Sequence, residues 1–201
     1  MDHSRARNLF LEIQSRPYRL SIQPHSAAQN CFFKGIELLQ KLGIMGYTVR
    51  GRIGETFWDP NVFPADILVL MPSDILHTHF FVETQINGKW RVLDASLQPS
   101  LAKYGFTIGS WESGGCCFPI TRLYTQKEAL AYQELWKDHE FQRDIFERGK
   151  EGWAALDNWF AERAEEHQIT STMMKKGRSR RVITDLREER PDVVRPPFLT
   201  E

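Results

Sequence analysis

Three residue types that could do chemistry together are spread over this chain: a cysteine at position 31, histidines at 77 and 79, and an aspartate at 94. A histidine held by a carboxylate works as a general base, because the carboxylate fixes the tautomer and stabilises the imidazolium that forms when a proton is taken. A thiol next to such a base becomes a nucleophile. Cys31 opens the apolar-periodic stretch CFFKGIELLQKLGI, so it is expected near a helix start, where unpaired amides and the helix dipole favour thiolate.

Positioning of the other two residues falls to LHTHFFVETQINGKWRVLDAS, residues 76–96. Asn87-Gly88 is a strong two-residue hairpin signal between strands expected at about 77–86 and 89–95. With that turn, Ile86 faces Lys89, Phe81 faces Asp94 and His79 faces Ser96. Side chains alternate, so His79, Phe81, Glu83, Gln85, Trp90, Val92 and Asp94 share one face. His79 and Asp94 are then diagonal neighbours, roughly 7 to 8 Å apart at Cα, which an imidazole and a carboxylate can bridge. His77 lies a further two residues away and is the weaker base.

The helix that carries Cys31 shows Phe32, Ile36 and Leu39 at helical spacing, with Lys34, Glu37 and Lys41 on the opposite side. Its start is either a Ser26/Gln29 capping box or an Asn30 cap, and Gly43 ends it. Cys31 lies in a row with Gly35, Leu38 and Leu42, the side expected to pack on the sheet. The three groups would meet if this helix lay against the face that bears His79 and Asp94. YTVRGRI reads as a strand, ADILVLM as a short buried strand, and CCFPITRLY as one more strand beginning near the cysteines. From Thr125 the composition favours two helices, broken near Gly149 or Gly152, with Trp153, Leu156, Trp159 and Phe160 forming an apolar face. After about residue 170 a polar, proline-punctuated tail is expected.

Composition narrows the function classes. Lysine plus arginine and aspartate plus glutamate each number 26, so no net charge points to nucleic acid, a membrane surface or an acidic substrate. Three cysteines, Cys31, Cys116 and Cys117, make no disulfide framework and no recognised zinc spacing. A site from His77, His79, Cys116 and Cys117 can be drawn, but it fits no ligand pattern, and no metal or other cofactor is expected. Cys116 and Cys117 read as core thiols. No secretory leader or membrane span is legible, which makes a soluble protein of a reducing, cytoplasmic compartment the expectation. The basic KKGRSRR run is followed at once by acidic DLREERPD and reads as a solvated tail.

The segments CFFKGIELLQKLGIMGYTVRGRI and HFFVETQINGKWRVLDAS resemble the transglutaminase-like superfamily of papain-like cysteine enzymes. The pattern is a Cys at a helix start, a Leu-rich helix ending in Leu-Gly-Ile, a His-bearing strand, and Gly-x-Trp before an Asp. His79 and Asp94 keep the interval of that pattern, with Glu83, Gly88 and Trp90 also in place. The match spans roughly residues 25–96. Gln29 stands where a Gly is usual, Phe80-Phe81 where Ala-Trp follows the His, and Ala95-Ser96 where Pro-Thr follows the Asp. The resemblance implies Cys31 as nucleophile, His79 as base and Asp94 as the orienting carboxylate. It also implies a thioester formed with an amide or ester carbonyl and passed to water or an amine. One oxyanion donor would be the Cys31 amide, and Gln29 or Gln23 could supply the other.

The expected architecture is therefore α+β: a papain-like, transglutaminase-like core at residues 1–124 with an antiparallel sheet packed on the Cys-bearing helix. Helices at 125–169 and a tail at 170–201 complete the chain. The expected function is thiol-dependent acyl hydrolysis or transfer on a peptide, protein or small amide substrate. Hydrolysis is preferred, because neither a calcium loop of the EF-hand kind nor an amine-acceptor module is legible. Two rivals stand beside it: a catalytically silent binding or scaffold member of the fold, and an acyltransferase of the arylamine N-acetyltransferase type.

Overall fold

Four strands, β1 (Val49–Thr56), β2 (Thr78–Ile86), β3 (Lys89–Leu93) and β4 (Ile120–Leu123), form one antiparallel sheet in the order β3-β2-β1-β4. The computed structural model describes residues 2–20, 29–73 and 75–176, with side chains as far as Ala164. Asn87 (φ 53°) and Gly88 (φ 75°) are both left-handed, as the tight hairpin turn requires. The pairs run from Ile86↔Lys89 to Val82↔Leu93, the register expected from the sequence.

Two helices cover one face of this sheet. In α1 (His3–Ser15) Ala6, Leu9, Phe10 and Ile13 recur at helical spacing and are buried, and the Asp2 side chain caps the Arg5 amide. In α2 (Cys31–Ile44) the cap is Asn30, whose side chain accepts from the amides of Phe32 and Phe33. Gln23 and Ser26 lie outside the described residues. The buried row of α2 contains Gly35, Leu38 and Leu42, as expected of the row that begins at Cys31. Lys34, expected on the polar side, is instead 1% exposed, while Phe32 and Phe33 are 38% and 54% exposed.

The α2 layer lies on the other face from the one anticipated. Leu38 and Leu42 share a core with Phe80, Val82, Ile86 and Leu93, and alternation puts these strand side chains opposite His79 and Asp94. Shape decides this. A Cβ at Gly35 on α2 or at Gly51 on β1 would run into the Phe80 ring, so two glycines make the slot that seats it.

A second core contains Tyr18, Phe63, Leu97, Leu101, Phe118, Leu156 and Phe160. ADILVLM contributes a short helix here, α3 (Ala65–Leu68), rather than a strand. Pro64 sets the entry and its carbonyl accepts from the amides of Ile67 and Leu68, so the run turns and leaves Val69 79% exposed. Thr125 closes a capping box on α4 (Gln126–Leu135), and α5 (His139–Lys176) follows. The break falls at Trp136–Asp138, not at Gly149 or Gly152. Gly152 serves close packing, since a Cβ there would press on the Leu70 carbonyl. Leu156, Trp159 and Phe160 are buried, as the apolar stripe required. The expected tail begins inside α5, and residues 177–201 lie outside the described ones. Among the described residues no helix is long and apolar enough to cross a membrane.

Candidate active site

Asp94 follows the last residue of β3 and is held by its own chain neighbours. Ser96 donates to Asp94 Oδ1 from its amide at 3.0 Å and from Oγ at 2.5 Å. Asp94 Oδ2 accepts from the Cys117 amide at 2.6 Å and faces His79 Nε2 at 2.6 Å. Both side chains of the His79–Asp94 pair are 1% exposed. Gly109 lets the following loop approach: a Cβ there would collide with the Asp94 carbonyl. Gln14, reaching over from α1, secures that loop by donating to the Gly109 carbonyl at 2.6 Å.

The His79 ring stacks on Phe81 and lies 4.8 Å from Phe118 between ring centroids. Nε2 is engaged by Asp94, which leaves Nδ1 for another partner. The Cys31 thiol, half-buried at the first position of α2, lies close enough to the His79 side chain and the Phe80 backbone for both to lower its pKa. The helix thus lies on the Phe80 face while its first residue reaches His79 beside the part of β2 that β3 no longer pairs. Cys31, His79 and Asp94 come together although the packing face is not the expected one.

Electrostatics follow from this geometry. Burial alone would raise the Asp94 carboxyl, yet the charge and hydrogen bond of His79, with donors from Ser96 and Cys117, hold it well below the ordinary range. Burial alone would lower His79, but the Asp94 carboxylate carries it well above its ordinary value, helped by the neighbouring Cys116 and Cys31 thiols. Burial alone would raise the Cys31 thiol, and the bond to His79 and its positive charge outweigh this and lower it. The arrangement favours an imidazolium beside a thiolate.

The other cysteines behave differently. Burial pushes Cys117 well above, and Cys116 above, the ordinary thiol value. Neither begins β4; both stand in the loop before it, with the Cys116 thiol 3.5 Å from Asp94 Oδ2 and the Cys117 thiol 3.6 Å from the Asp94 carbonyl. Cys116 is therefore a neighbour of the His79–Asp94 pair that was not legible in the sequence. His79, Asp94 and Cys116 bring ligand atoms within 4.8 Å of one another among the described residues. Both Asp94 oxygens are already engaged by donors, so an ion here would have to break the His79–Asp94 bond. His77 takes no part: its ring sits 5.5 Å from both Trp58 and Trp153, and burial lowers it to about 4, so it is neutral.

Lys34 is a further residue that the sequence pattern hid. Its Nζ donates to the carbonyls of Arg16 at 2.5 Å, Ser96 at 2.9 Å and Gln14 at 3.5 Å. It ties the end of α1 and the Asp94–Ser96 turn to α2. Burial lowers it to about 7. Gln29 is described through its backbone, which pairs with Arg19. In comparisons with known proteins, no family model, curated protein or solved structure matches the chain.

Proposed function

We propose that the protein is a thiol-dependent acyl hydrolase or acyl transferase acting on a peptide or amide carbonyl, with Cys31 as nucleophile, His79 as base and Asp94 as orienting carboxylate. The observation that carries this is the buried His79–Asp94 pair at 2.6 Å, with Cys31 close enough to the imidazole for its thiol pKa to be lowered. The Cys31 thiolate attacks the carbonyl carbon; a C–S bond forms and the carbonyl π electrons move to oxygen. Collapse of that adduct expels the amine, which takes the proton from His79, and leaves a thioester on Cys31. Water, deprotonated by His79, or an amine then releases the acyl group. The resemblance to the transglutaminase-like superfamily supports the same residue roles.

The test is alkylation by iodoacetamide across pH, read per cysteine by mass spectrometry, in the natural protein and in His79→Ala. Cys31 is expected to react selectively below the ordinary thiol range, and to lose that selectivity without the imidazole. Equal, sluggish labelling of all three cysteines in the natural protein would remove the proposal in favour of a silent binding module.

A further inference from the structure

Cys116 sets a second sulfur beside the His79–Asp94 pair, and no step of the thiol chemistry uses it. Its thiol donates toward Asp94 Oδ2 from 3.5 Å, and His79, Asp94 and Cys116 each bring a ligand atom within 4.8 Å of the other two. The cluster is reached from one side: His79 and Asp94 are 1% exposed, whereas Cys116 is half-buried. Gly115, at φ 118° and with nothing near the place of a Cβ, precedes Cys116 and leaves that end of the loop room to adjust.

Imidazole nitrogen, carboxylate oxygen and thiolate sulfur are the donor types of zinc sites, and the thiolate among them disfavours magnesium and calcium. Bonds of about 2.0 to 2.3 Å around a tetrahedral ion set its ligands roughly 3.3 to 3.8 Å apart. Cys116 Sγ and Asp94 Oδ2 already stand at 3.5 Å, while His79 Nε2 and Oδ2, at 2.6 Å, must part by roughly 0.7 Å. That movement gives up the hydrogen bond between them, and a metal bond to each atom replaces it. The carboxylate stays oriented meanwhile, because Ser96 holds Oδ1 through its amide and hydroxyl, as outer partners do for ligating carboxylates. Charge is conserved as well. An imidazolium, a carboxylate and a neutral thiol sum to zero, and so do Zn²⁺, a neutral imidazole, a carboxylate and a thiolate, so the buried cluster takes up no net charge.

We propose that His79, Asp94 and Cys116 bind a zinc ion that switches the site off. The ion takes the place of the proton between Nε2 and Oδ2 and of the Cys116 thiol proton; both protons leave to water, and no electron is transferred. Water fills the fourth position. With Nε2 on zinc, His79 is a neutral ligand that neither holds a thiolate by its charge nor has a proton for the leaving amine. The inhibition rests on Cys31 being the nucleophile; the metal site does not.

The test titrates the full chain, reduced and freed of metal, with Co²⁺ as a spectroscopic stand-in and with Zn²⁺. One Co²⁺ is expected to bind with the near-ultraviolet charge-transfer band of a thiolate ligand, and Zn²⁺ to displace it. In Cys116→Ser the band should vanish and Zn²⁺ affinity fall at least about tenfold, since even an outer partner of a ligand is worth 10- to 100-fold. In Cys31→Ser both should persist. A band that survives in Cys116→Ser, a band lost in Cys31→Ser, or no bound Co²⁺ overturns the site. If Cys116→Ser does not fold, labelling of the natural protein by N-ethylmaleimide, read per cysteine by mass spectrometry, decides: Zn²⁺ should shield Cys116, and an unshielded Cys116 overturns the site. Iodoacetamide labelling of Cys31 at pH 6 should fall at least about tenfold with Zn²⁺ and recover on chelation; a rate untouched by bound zinc overturns the inhibition. A metal-free natural protein whose Cys31 is not selectively labelled overturns the thiol mechanism and the inhibition with it, and the cobalt band still decides the metal site.

Discussion

His79 Nε2 and Asp94 Oδ2 lie 2.6 Å apart in a site almost closed to water. A charged hydrogen bond in such surroundings is much stronger than in solvent, and it holds the imidazole protonated beside Cys31. Asp94→Asn keeps the shape and removes the charge. The His79 ring then loses its main reason to be cationic, and the Cys31 thiol rises toward its ordinary value. Because each pKa unit is a tenfold change in thiolate fraction, alkylation of Cys31 at pH 6 should fall about tenfold or more. An unaltered alkylation profile in this variant would show that the carboxylate does not tune the thiol.

Ser96 gives Asp94 Oδ1 two donors, amide and hydroxyl. Ser96→Ala removes only the hydroxyl, a hydrogen bond to a charged group of about 1.5 to 3 kcal/mol. The folded-state Asp94 carboxyl then sits less far below its unfolded value. A depressed carboxyl contributes stability that is present above its unfolded pKa and lost as pH falls through the folded one. The acid-unfolding midpoint of Ser96→Ala should therefore move to higher pH, as followed by tryptophan fluorescence. A midpoint that stays in place argues that the amide alone holds the carboxylate.

Lys34 gives a pH dependence of the same sign in a different, alkaline window. Its folded value is about 7 against an ordinary 10.5, so between the two the unfolded chain binds the extra proton. Stability then rises as pH rises from about 7 toward 10.5 and is lost as pH falls back to about 7, below which both states hold the proton. Lys34→Met nearly keeps the volume and removes the titration. The difference in unfolding free energy between the natural protein and this variant should grow in favour of the natural protein by on the order of 1 kcal/mol per pH unit. Urea melts in reductant at pH 7, 8 and 9 would measure it, and parallel curves would exclude a titrating Lys34.

Gly109 leaves no room for a side chain next to the Asp94 carbonyl. Gly109→Ala should push the loop that carries the Cys117 amide away from Asp94, with a loss of about 1 to 3 kcal/mol from overpacking. Thermal melts would show the loss, and the Cys31 alkylation profile should shift in the same direction as in Asp94→Asn. A destabilised protein with an unshifted profile would separate the loop from the tuning of the base.

What the sequence made legible is what local chemistry dictates. Asn87-Gly88 set the hairpin register, the register put His79 and Asp94 within reach, and the α2 row of Cys31, Gly35, Leu38 and Leu42 marked the packing side. Lys34 escaped because a lysine reads as a solvated position, and only the three carbonyls converging from α1 and the Ser96 turn satisfy it in the interior. Cys116 and Cys117 escaped because the irregular chain between β3 and β4 has no period from which to calculate a position. ADILVLM misled because an apolar run of that length suits a strand or a helical turn equally, and Pro64 decided the matter.

The Phe80 slot formed by Gly35 and Gly51 has a consequence for how the site keeps its alignment. Phe80 and His79 are consecutive residues on opposite faces of one strand, one seated against the helix that carries Cys31 and the other against Phe118 of the second core. The single peptide unit between them is the joint across which two separately packed halves of the molecule set the distance from sulfur to imidazole. A substitution deep in either half, such as Leu38 or Phe160, is then felt at that joint as a change in thiol acidity. The reactivity of Cys31 becomes a gauge of how the halves are seated, sensitive to slippage well before either half unfolds.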